Sequence, residues 1–170
     1  LTNETIFDLT QCPGHLIVIG AGPIGLEMAQ AFRRLGAQVT VIEAAAPLAK
    51  DDPECAQIVV DALRSEGVAI RAGVKALSVE GTSGEIRVTI EESGVRDMIA
   101  GTHLLVAAGR KPNVEGLNLE AAGIAYDRRG IAVDRALRTS NKKIYAIGDV
   151  AGGLQFTHVA GYQAGGLVRQ

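Results

Sequence analysis

The feature that most constrains the fold is residues 20–25, which read Gly-Ala-Gly-Pro-Ile-Gly. Four aliphatic residues at 16–19 come directly before this turn, as is typical of a strand buried on both faces. After the turn, apolar or small residues recur with the period of an α-helix until Gly36, which predicts a helix that stops there. A second aliphatic run at 39–42 predicts another strand. The order strand, helix, strand predicts a parallel sheet.

Each glycine of this GxGxxG pattern has an expected function. Gly20 permits the tight turn, Gly22 lets the backbone approach a pyrophosphate, and Gly25 lets the helix pack closely on the sheet. Pro23 suits a first helical turn, where its missing N–H is not needed. The remaining N–H groups and the positive end of the helix dipole would face two phosphates. The alternative is a glycine-rich turn that binds nothing, but the flanking strands and helix favour a dinucleotide.

An acidic residue, Glu43, ends the second predicted strand. A carboxylate at this position can accept hydrogen bonds from both hydroxyls of an adenine ribose, and it would repel a 2′-phosphate. Residues 44–46 are alanines, so no arginine follows that could bind such a phosphate. The sequence therefore predicts NAD(H) rather than NADP(H). The alternative is a solvated carboxylate at a strand end.

The segment after Glu43 predicts a helix with well-marked ends. Asp52 is expected as its N-cap, Pro53 as its first residue and Gly67 as its stop. Its predicted apolar stripe consists of Ala56, Val59, Val60 and Leu63. Residues 68–70 then predict a third strand.

From Lys75 onward the hydrophobic period changes. Apolar and polar residues alternate over 86–91, as in a strand with one wet face, and turn-forming residues stand at 81–84 and 93–94. This pattern predicts a small antiparallel meander. It is inserted before a last buried strand at 103–106.

The chain beyond Pro112 has a looser pattern of glycine-containing turns. Short strand candidates lie at 131–133 and 144–147. We find no internal repeat and no low-complexity tract there.

Charge and hydropathy argue against two classes of function. The 17 Lys and Arg residues nearly balance the 19 Asp and Glu residues, and the formal net charge is -2 without blocks of like charge. This balance argues against a nucleic-acid binder. The longest apolar run, 16–26, is broken by glycines and is too short to span a bilayer. A cytoplasmic protein with no membrane segment is expected.

The ends of the chain and its cysteines give two further expectations. The sequence starts at Leu1 without a methionine or a signal peptide, so we expect a piece of a longer protein. Cys12 and Cys55 fit neither a CxxC redox pair nor a zinc site. They are expected to be structural thiols in a reducing compartment.

Three ordered segments give the chain a specific resemblance: IVIGAGPIGLE at 17–27, AAGRKPN at 107–113 and IYAIGD at 144–149. Together they resemble class I pyridine nucleotide-disulfide oxidoreductases, of which dihydrolipoamide dehydrogenases and mercuric reductases are the closest types. The resemblance implies an α/β fold, a Rossmann-like NAD-binding domain with a parallel sheet and an inserted antiparallel β-meander. An incomplete piece of an FAD domain follows it. The implied boundaries are 1–12 for a connecting segment from the FAD domain, 13–109 for the NAD(H)-binding domain and 110–170 for the C-terminal part of the FAD-binding domain.

The resemblance also implies contacts to two cofactors. The residues assigned to NAD(H) are Gly20, Ala21, Gly22, Pro23, Ile24, Gly25, Glu27, Glu43, Val74 and Gly109. In this assignment Val74 contacts the adenine and Gly109 the far side of the cofactor, while Glu27 reaches toward the flavin. The alternative for Glu27 is a first-turn glutamate that complements the helix dipole.

The FAD contacts implied by the resemblance lie near the end of the chain. They are Asp149 for the ribityl chain and Gln155, Phe156, Thr157 and His158 beside the isoalloxazine. For Asp149 the alternative is a strand-end aspartate that caps the following turn. No catalytic nucleophile and no metal ligand are assigned within this chain.

The family implies a parent flavoenzyme that passes a hydride between NAD(H) and FAD and on to a redox-active disulfide. Its implied partners are NAD(H), the rest of the flavoenzyme and a second copy in a homodimer. Pro23, Lys142 and the run 156–158 depart from the lipoamide type and favour a mercuric-reductase-like branch, whereas Glu43 disfavours it because mercuric reductases mostly use NADPH. An NADH oxidase, a ferredoxin-reductase relative or a stand-alone NAD-sensing module are the alternatives.

Overall fold

The computed structural model describes residues 1–82 and 84–169. The chain forms two compact units, Leu1–Gly109 and Arg110–Gln170. The first unit combines a parallel sheet with an antiparallel sheet, so the predicted α/β fold with an inserted meander is confirmed. No helix within the described ranges is long and apolar enough to cross a membrane.

A four-stranded parallel sheet forms the centre of the first unit. Its strands, in chain order, are β1 at His15–Ile19, β2 at Gln38–Glu43, β3 at Ala69–Ala72 and, after the meander, β7 at His103–Val106. Their spatial order is β3-β2-β1-β7, with Ile19 opposite both Ile42 and Val106. The chain therefore runs outward from β1 to β3 and returns on the other side of β1. Such a reversal is where open α/β sheets bind ligands, at the carboxyl ends of the strands.

Strand β1 contributes to two separate hydrophobic clusters. Leu16 and Val18 are fully buried in a cluster that includes Leu26 and Leu63. Ile17 points to the other face and joins a cluster under the meander. At the amino end of β1, the His15 Nε2 lies 2.9 Å from the Thr40 Oγ1.

Two helices cover one face of the sheet, α1 at Pro23–Arg34 and α2 at Pro53–Ser65. Both end as predicted, because Gly36 and Gly67 have φ values of 104° and 88° that suit glycine. The Asp52 side chain caps α2 by accepting the N–H groups of residues 54 and 55. Of the predicted apolar stripe, Ala56, Val60 and Leu63 are buried. Val59 is 42% exposed, so its assignment to the core was wrong.

The predicted meander is confirmed as a three-stranded antiparallel sheet. Its strands are β4 at Val74–Thr82, β5 at Glu85–Glu92 and β6 at Val95–Gly101. The turn at Ser93–Gly94 has positive φ at both residues, 52° and 80°, as in the two-residue hairpins that match strand twist. The other expected turn includes Ser83, which lies outside the described residues.

The second unit has little regular structure. It contains the short strands β8 at Tyr126–Asp127 and β9 at Gly130–Ile131, a 3-10 turn at Gly148–Ala151 and helix α3 at Thr157–Val168. The strand expected at 131–133 is therefore shorter than predicted. The strand expected at 144–147 was wrong, because only Tyr145 forms a bridge there, to Arg138, and an apolar run needs a neighbouring strand to become one.

Helix α3 differs from α1 and α2 in its packing, because none of its residues is buried. Tyr162 and Val168 are 81% and 87% exposed. The core of the second unit lies elsewhere and consists of Val114, Leu119, Ile124, Ile131 and Ala146.

The two cysteines do not fit the expectation of structural thiols. Cys12 and Cys55 are both free and exposed, so neither contributes to a core.

Candidate nucleotide site at the carboxyl edge of the parallel sheet

The glycine-rich turn connects β1 to α1 at the edge where β1 and β7 reverse the strand order. Gly20 has φ 106°, and a Cβ there would lie 2.5 Å from the Ala107 carbonyl oxygen. Its N–H donates to the Ile42 carbonyl at 2.9 Å. Any other residue at position 20 would be strained by its φ and would also clash with the chain after β7. The turn is thereby fixed between its two neighbouring strands.

Gly25 serves a different purpose, which is close packing of α1. A Cβ at this position would lie 2.0 Å from the Gly20 carbonyl oxygen. Only glycine lets the helix begin so close to the turn. The first and third glycines of the motif are therefore required by the fold itself.

Gly22 is the glycine that the fold does not require. Its φ of -76° and ψ of 177° are accessible to any residue. A Cβ built there would meet nothing within 4 Å. Gly22 is also the N-cap of α1, a position where Ser, Thr, Asp or Asn would bond the first N–H groups. Glycine at this position leaves both the space and those N–H groups open.

The first turn of α1 offers donors for an anion. The backbone N–H groups of Gly22, Ile24 and Gly25 have no acceptor among the residues that the structure describes. Pro23 is exposed at the first helical position and has no N–H to offer. Unpaired N–H groups at a helix N-terminus, together with the helix dipole, form a binding site for phosphate.

Glu43 lies at the end of β2 with a fixed carboxylate. Its Oε2 accepts the N–H of Ala21 at 2.8 Å, and its Oε1 accepts the N–H of Ala45 at 2.9 Å. Each carboxylate oxygen has a further lone pair, so both can still accept a ligand hydroxyl. Because the Ala21 N–H is occupied by Glu43 and Ala21 is fully buried, Ala21 itself offers no donor to a phosphate.

Glu27 lies on the second turn of α1, not the first, so it is too far from the helix start for the helix-dipole alternative. It is exposed, and its carboxylate has no hydrogen-bond partner within residues 1–82 and 84–169. Gly109 is also exposed, with φ 130°, and a Cβ built there would meet nothing within 4 Å.

Val74 is placed differently from what an adenine contact needs. It is 0% exposed and belongs to the cluster under the meander. Val74 presents no exposed surface to a nucleotide here, and its contact with the adenine stays a prediction. The exposed positions beside it are Gly73 and Lys75.

The candidate FAD residues all belong to the second unit. Asp149 is exposed in the 3-10 turn, and its carboxylate caps no backbone N–H within the described part of the chain, so the capping alternative was wrong. The rings of Phe156 and His158 stack with centroids 5.3 Å apart and planes inclined by 11°. Arg110 donates to the Gln155 carbonyl at 2.7 Å and fixes the approach to α3. Thr157 is the first residue of this helix and is exposed.

Two residues of the nucleotide site were missed by sequence reasoning. Ala45 holds one oxygen of Glu43, and Leu48 donates its N–H to the Ala21 carbonyl at 3.0 Å. Both lie in the loop after β2, where alanine and leucine carry no chemical signal. Among the residues described, no three metal-ligating side chains come together.

Nearly the whole chain is similar to the proteins of one family. The family model described as "Pyridine nucleotide-disulphide oxidoreductase" matches residues 1–164. A mercuric reductase of Lysinibacillus sphaericus is 43% identical over 168 residues, covering 97% of this chain and 31% of that protein. A dihydrolipoyl dehydrogenase of Staphylococcus aureus is 38% identical over 159 residues, covering 92% of this chain and 34% of that protein.

Two solved structures have the same fold over nearly the whole chain. The HOCl-induced flavoprotein disulfide reductase RclA from Escherichia coli superposes with TM-score 0.86 at 34% identity, covering 96% of this chain and 37% of that one. LpdA from Mycobacterium tuberculosis superposes with TM-score 0.86 at 34% identity, covering 99% and 36%. The chain thus spans about a third of the length of the relatives it matches.

Proposed function

Because the chain belongs to the pyridine nucleotide-disulphide oxidoreductase family, we propose that residues 13–109 form a domain that binds NAD(H). The glycine-rich turn and the first turn of α1 bind the pyrophosphate, and Glu43 binds the adenine ribose. The proposal is supported by the match of the sequence pattern to the geometry of a phosphate-binding helix N-terminus.

The observation that carries this proposal is the open space at Gly22. Gly20 and Gly25 are explained by contacts within the fold, but nothing within 4 Å of position 22 excludes a side chain. Glycine is tolerated at an N-cap but has no side-chain acceptor, so it leaves the first N–H groups of the helix free to bind a ligand. A ligand that approaches the backbone closely accounts for all three features: the glycine, the missing side-chain cap and the unpaired N–H groups.

Glu43 sets the preference among pyridine nucleotides. Its carboxylate is held by two N–H groups, so it does not move away when a 2′-phosphate approaches. A second negative charge at the ribose would lie against this carboxylate with no arginine in residues 44–46 to neutralise it. We therefore propose NAD(H) as the nucleotide, not NADP(H).

Residues 110–170 are proposed to contribute to an FAD site. The side chains present fit such a cofactor, since Asp149 offers an exposed carboxylate for hydroxyl groups and Phe156 and His158 offer stacked rings close to it in sequence. FAD would supply the hydride-accepting ring system when bound. The role of Asp149 is to hold a ribityl hydroxyl, and that of residues 155–158 is to line the ring.

The parent activity that we propose is hydride transfer between NAD(H) and FAD, with electrons passing on to a redox-active disulfide. The relatives named mercuric reductase, dihydrolipoyl dehydrogenase and flavoprotein disulfide reductase support this class of reaction. We also propose that the partners of this chain are the remainder of such a flavoenzyme and a second subunit. Glu27 lies on α1 after the phosphate-binding turn, and its carboxylate is exposed.

The test is a calorimetric titration of the full 170-residue chain with NADH, alongside Gly22→Val. We expect the wild-type chain to bind and the variant to lose binding by at least about a hundredfold, because a valine would occupy the pyrophosphate position. Far-UV dichroism and the unfolding midpoint should change little, since the φ and ψ at position 22 suit valine. Gly166→Val is the matched control, because a Cβ there also meets nothing within 4 Å but lies in α3. Unchanged NADH binding by Gly22→Val would contradict the proposed site.

A further inference from the structure

The peptide groups of Ala21 are held by Glu43, the last residue of β2, and by Leu48, in the loop after it. The Ala21 N–H donates to the Glu43 Oε2 at 2.8 Å, and the Ala21 carbonyl accepts the Leu48 N–H at 3.0 Å. Ala21 is the residue between the first two glycines of the motif, and it is fully buried. The end of β2 and the loop after it therefore clamp the centre of the glycine-rich turn. We call the three residues Glu43, Ala21 and Leu48 the β2 clamp.

Leu48 adopts an unfavourable backbone conformation in order to take part. Its φ is 52°, in the left-handed region that a leucine rarely occupies. Such strain persists only where surrounding contacts over-determine it. Here the Leu48 side chain packs against the cluster around β1, while its N–H is used by Ala21. The loop is thus held from both its apolar and its polar side.

The β2 clamp determines where the pyrophosphate donors point. The Ala21 carbonyl belongs to the same peptide as the Gly22 N–H, so the bond from Leu48 orients that donor directly. The bond from Glu43 orients the preceding peptide. Two glycines flank Ala21, and glycine restricts the backbone least, so the clamp adds a restraint to those that Gly20 already receives from the neighbouring strands.

We propose that Glu43 is a positioning residue for the pyrophosphate, in addition to its contact with the adenine ribose. The inference rests on the proposed function, because it assumes that the turn binds a pyrophosphate. Glu43 acts through Ala21 and preorganises the N–H groups before a nucleotide arrives. Recognition of the ribose and of the pyrophosphate is therefore coupled through a single carboxylate.

The proposal and simple electrostatics predict opposite effects on pyrophosphate binding when the Glu43 carboxylate is removed. A carboxylate near a pyrophosphate repels it, so removal of the charge alone would strengthen phosphate binding. Loss of the positioning bond would weaken it. Two neutral variants separate these effects, since Glu43→Gln keeps an oxygen that can accept the Ala21 N–H, whereas Glu43→Leu keeps none.

The probes are 2′,3′-dideoxyadenosine and its 5′-diphosphate, which both lack the 2′ and 3′ hydroxyls that Glu43 would bind and differ only in the diphosphate on the 5′ oxygen. The dissociation constant of the nucleoside divided by that of its diphosphate measures how much the pyrophosphate contributes to binding. We expect this ratio to be about tenfold smaller for Glu43→Leu than for Glu43→Gln, as for one lost hydrogen bond to a charged group. Global destabilisation would weaken both probes together and leave the ratio unchanged.

Equal ratios for the two variants, or a larger ratio for Glu43→Leu, would overturn the positioning role. Glu43→Asp provides a second comparison if Glu43→Leu fails to fold, because it keeps the charge but draws the carboxylate back from the Ala21 N–H by one methylene. Its ratio should also fall below that of the wild type, and an unchanged ratio would overturn the inference. A parallel NADH titration of the wild-type chain distinguishes failure of the proposed function from failure of this inference. No NADH binding overturns the proposed function itself, whereas normal NADH binding with equal ratios overturns only the inference.

Discussion

Gly25 lies so close to Gly20 that a Cβ on Gly25 would come within 2.0 Å of the Gly20 carbonyl oxygen. The obstacle is backbone, not a flexible side chain, so it cannot move aside without shifting the turn or the helix. The first turn of α1 and the end of β1 therefore form a single close-packed contact. This contact fixes the distance between the donors of the helix and the edge of the sheet.

The first prediction follows from that contact. Gly25→Ala should destabilise the chain by about 1–3 kcal/mol, as overpacking of a tight contact does, although alanine is the better helix former. Urea unfolding followed by far-UV dichroism measures this difference. Gly161→Ala is a control in helix α3, where a Cβ meets nothing within 4 Å, and no loss is expected. Equal stabilities of Gly25→Ala and the wild type would show that the helix can shift at no cost.

The second prediction concerns the choice of nucleotide. The wild-type chain should bind NADH more tightly than NADPH by about 2 kcal/mol, because a 2′-phosphate would face the fixed carboxylate of Glu43. Calorimetry with both nucleotides measures the difference. Glu43→Gln should narrow the gap by removing the repulsion. Equal affinities of the wild-type chain for the two nucleotides would contradict the assigned role of this carboxylate.

The third prediction is a test of the α2 cap. Asp52 accepts the N–H groups of Glu54 at 3.0 Å and Cys55 at 3.2 Å. Asp52→Ala should lower the free energy of unfolding by about 1 kcal/mol. Asp51→Ala is the matched control, because Asp51 is the exposed neighbour and its side chain caps nothing among the residues described. The cap would contribute nothing if the two variants had the same denaturation midpoint.

The fourth prediction is a pH dependence that originates at His15. Burial lowers the pKa of His15 from its usual value, and a backbone hydrogen bond at Ala100 opposes this shift. The unfolded chain therefore takes up a proton at His15 at a higher pH than the folded chain does. Stability from the neutral imidazole is present above about pH 6.5 and is lost as the pH falls below that value.

The measurement for His15 is the free energy of unfolding between about pH 7.5 and 5 for the wild type and His15→Gln. The difference between the two curves isolates His15 from the other titrating groups. We expect the wild type to lose more stability than the variant across this interval. Parallel curves would show that His15 titrates equally in both states.

The sequence predicted those parts of the fold in which a residue acts locally. Asp52 determines the start of α2 through its side-chain cap, and Pro53 and Gly67 act through their backbone preferences, so both ends could be predicted without any knowledge of tertiary structure. Gly20 and Gly25 act through packing contacts, but their spacing between a strand and a helix is a sequence signal in its own right, so they too could be predicted. The alternation over 86–91 likewise predicted β5, because one face of that strand is buried.

Other parts depend on contacts that no short pattern reveals. The bond from Leu48 to Ala21 joins two residues with ordinary side chains, and it exists only because the loop after β2 folds back over the turn. The exposure of Val59 and the burial of Val74 depend on which neighbours cover them. Periodicity indicates which residues share one face of a helix or strand, but it does not indicate how much of that face is buried.

β1 is enclosed on both faces, because Leu16 and Val18 enter one cluster and Ile17 enters the other. A slip by one residue in a half-solvated strand would expose its apolar set, and that penalty selects the correct alignment. A slip of β1 would only exchange one set of aliphatic side chains for another, so burial discriminates weakly between alignments. The alignment of β1 is therefore encoded at its two ends. At one end His15 meets Thr40, and at the other the Gly20 N–H bonds the Ile42 carbonyl.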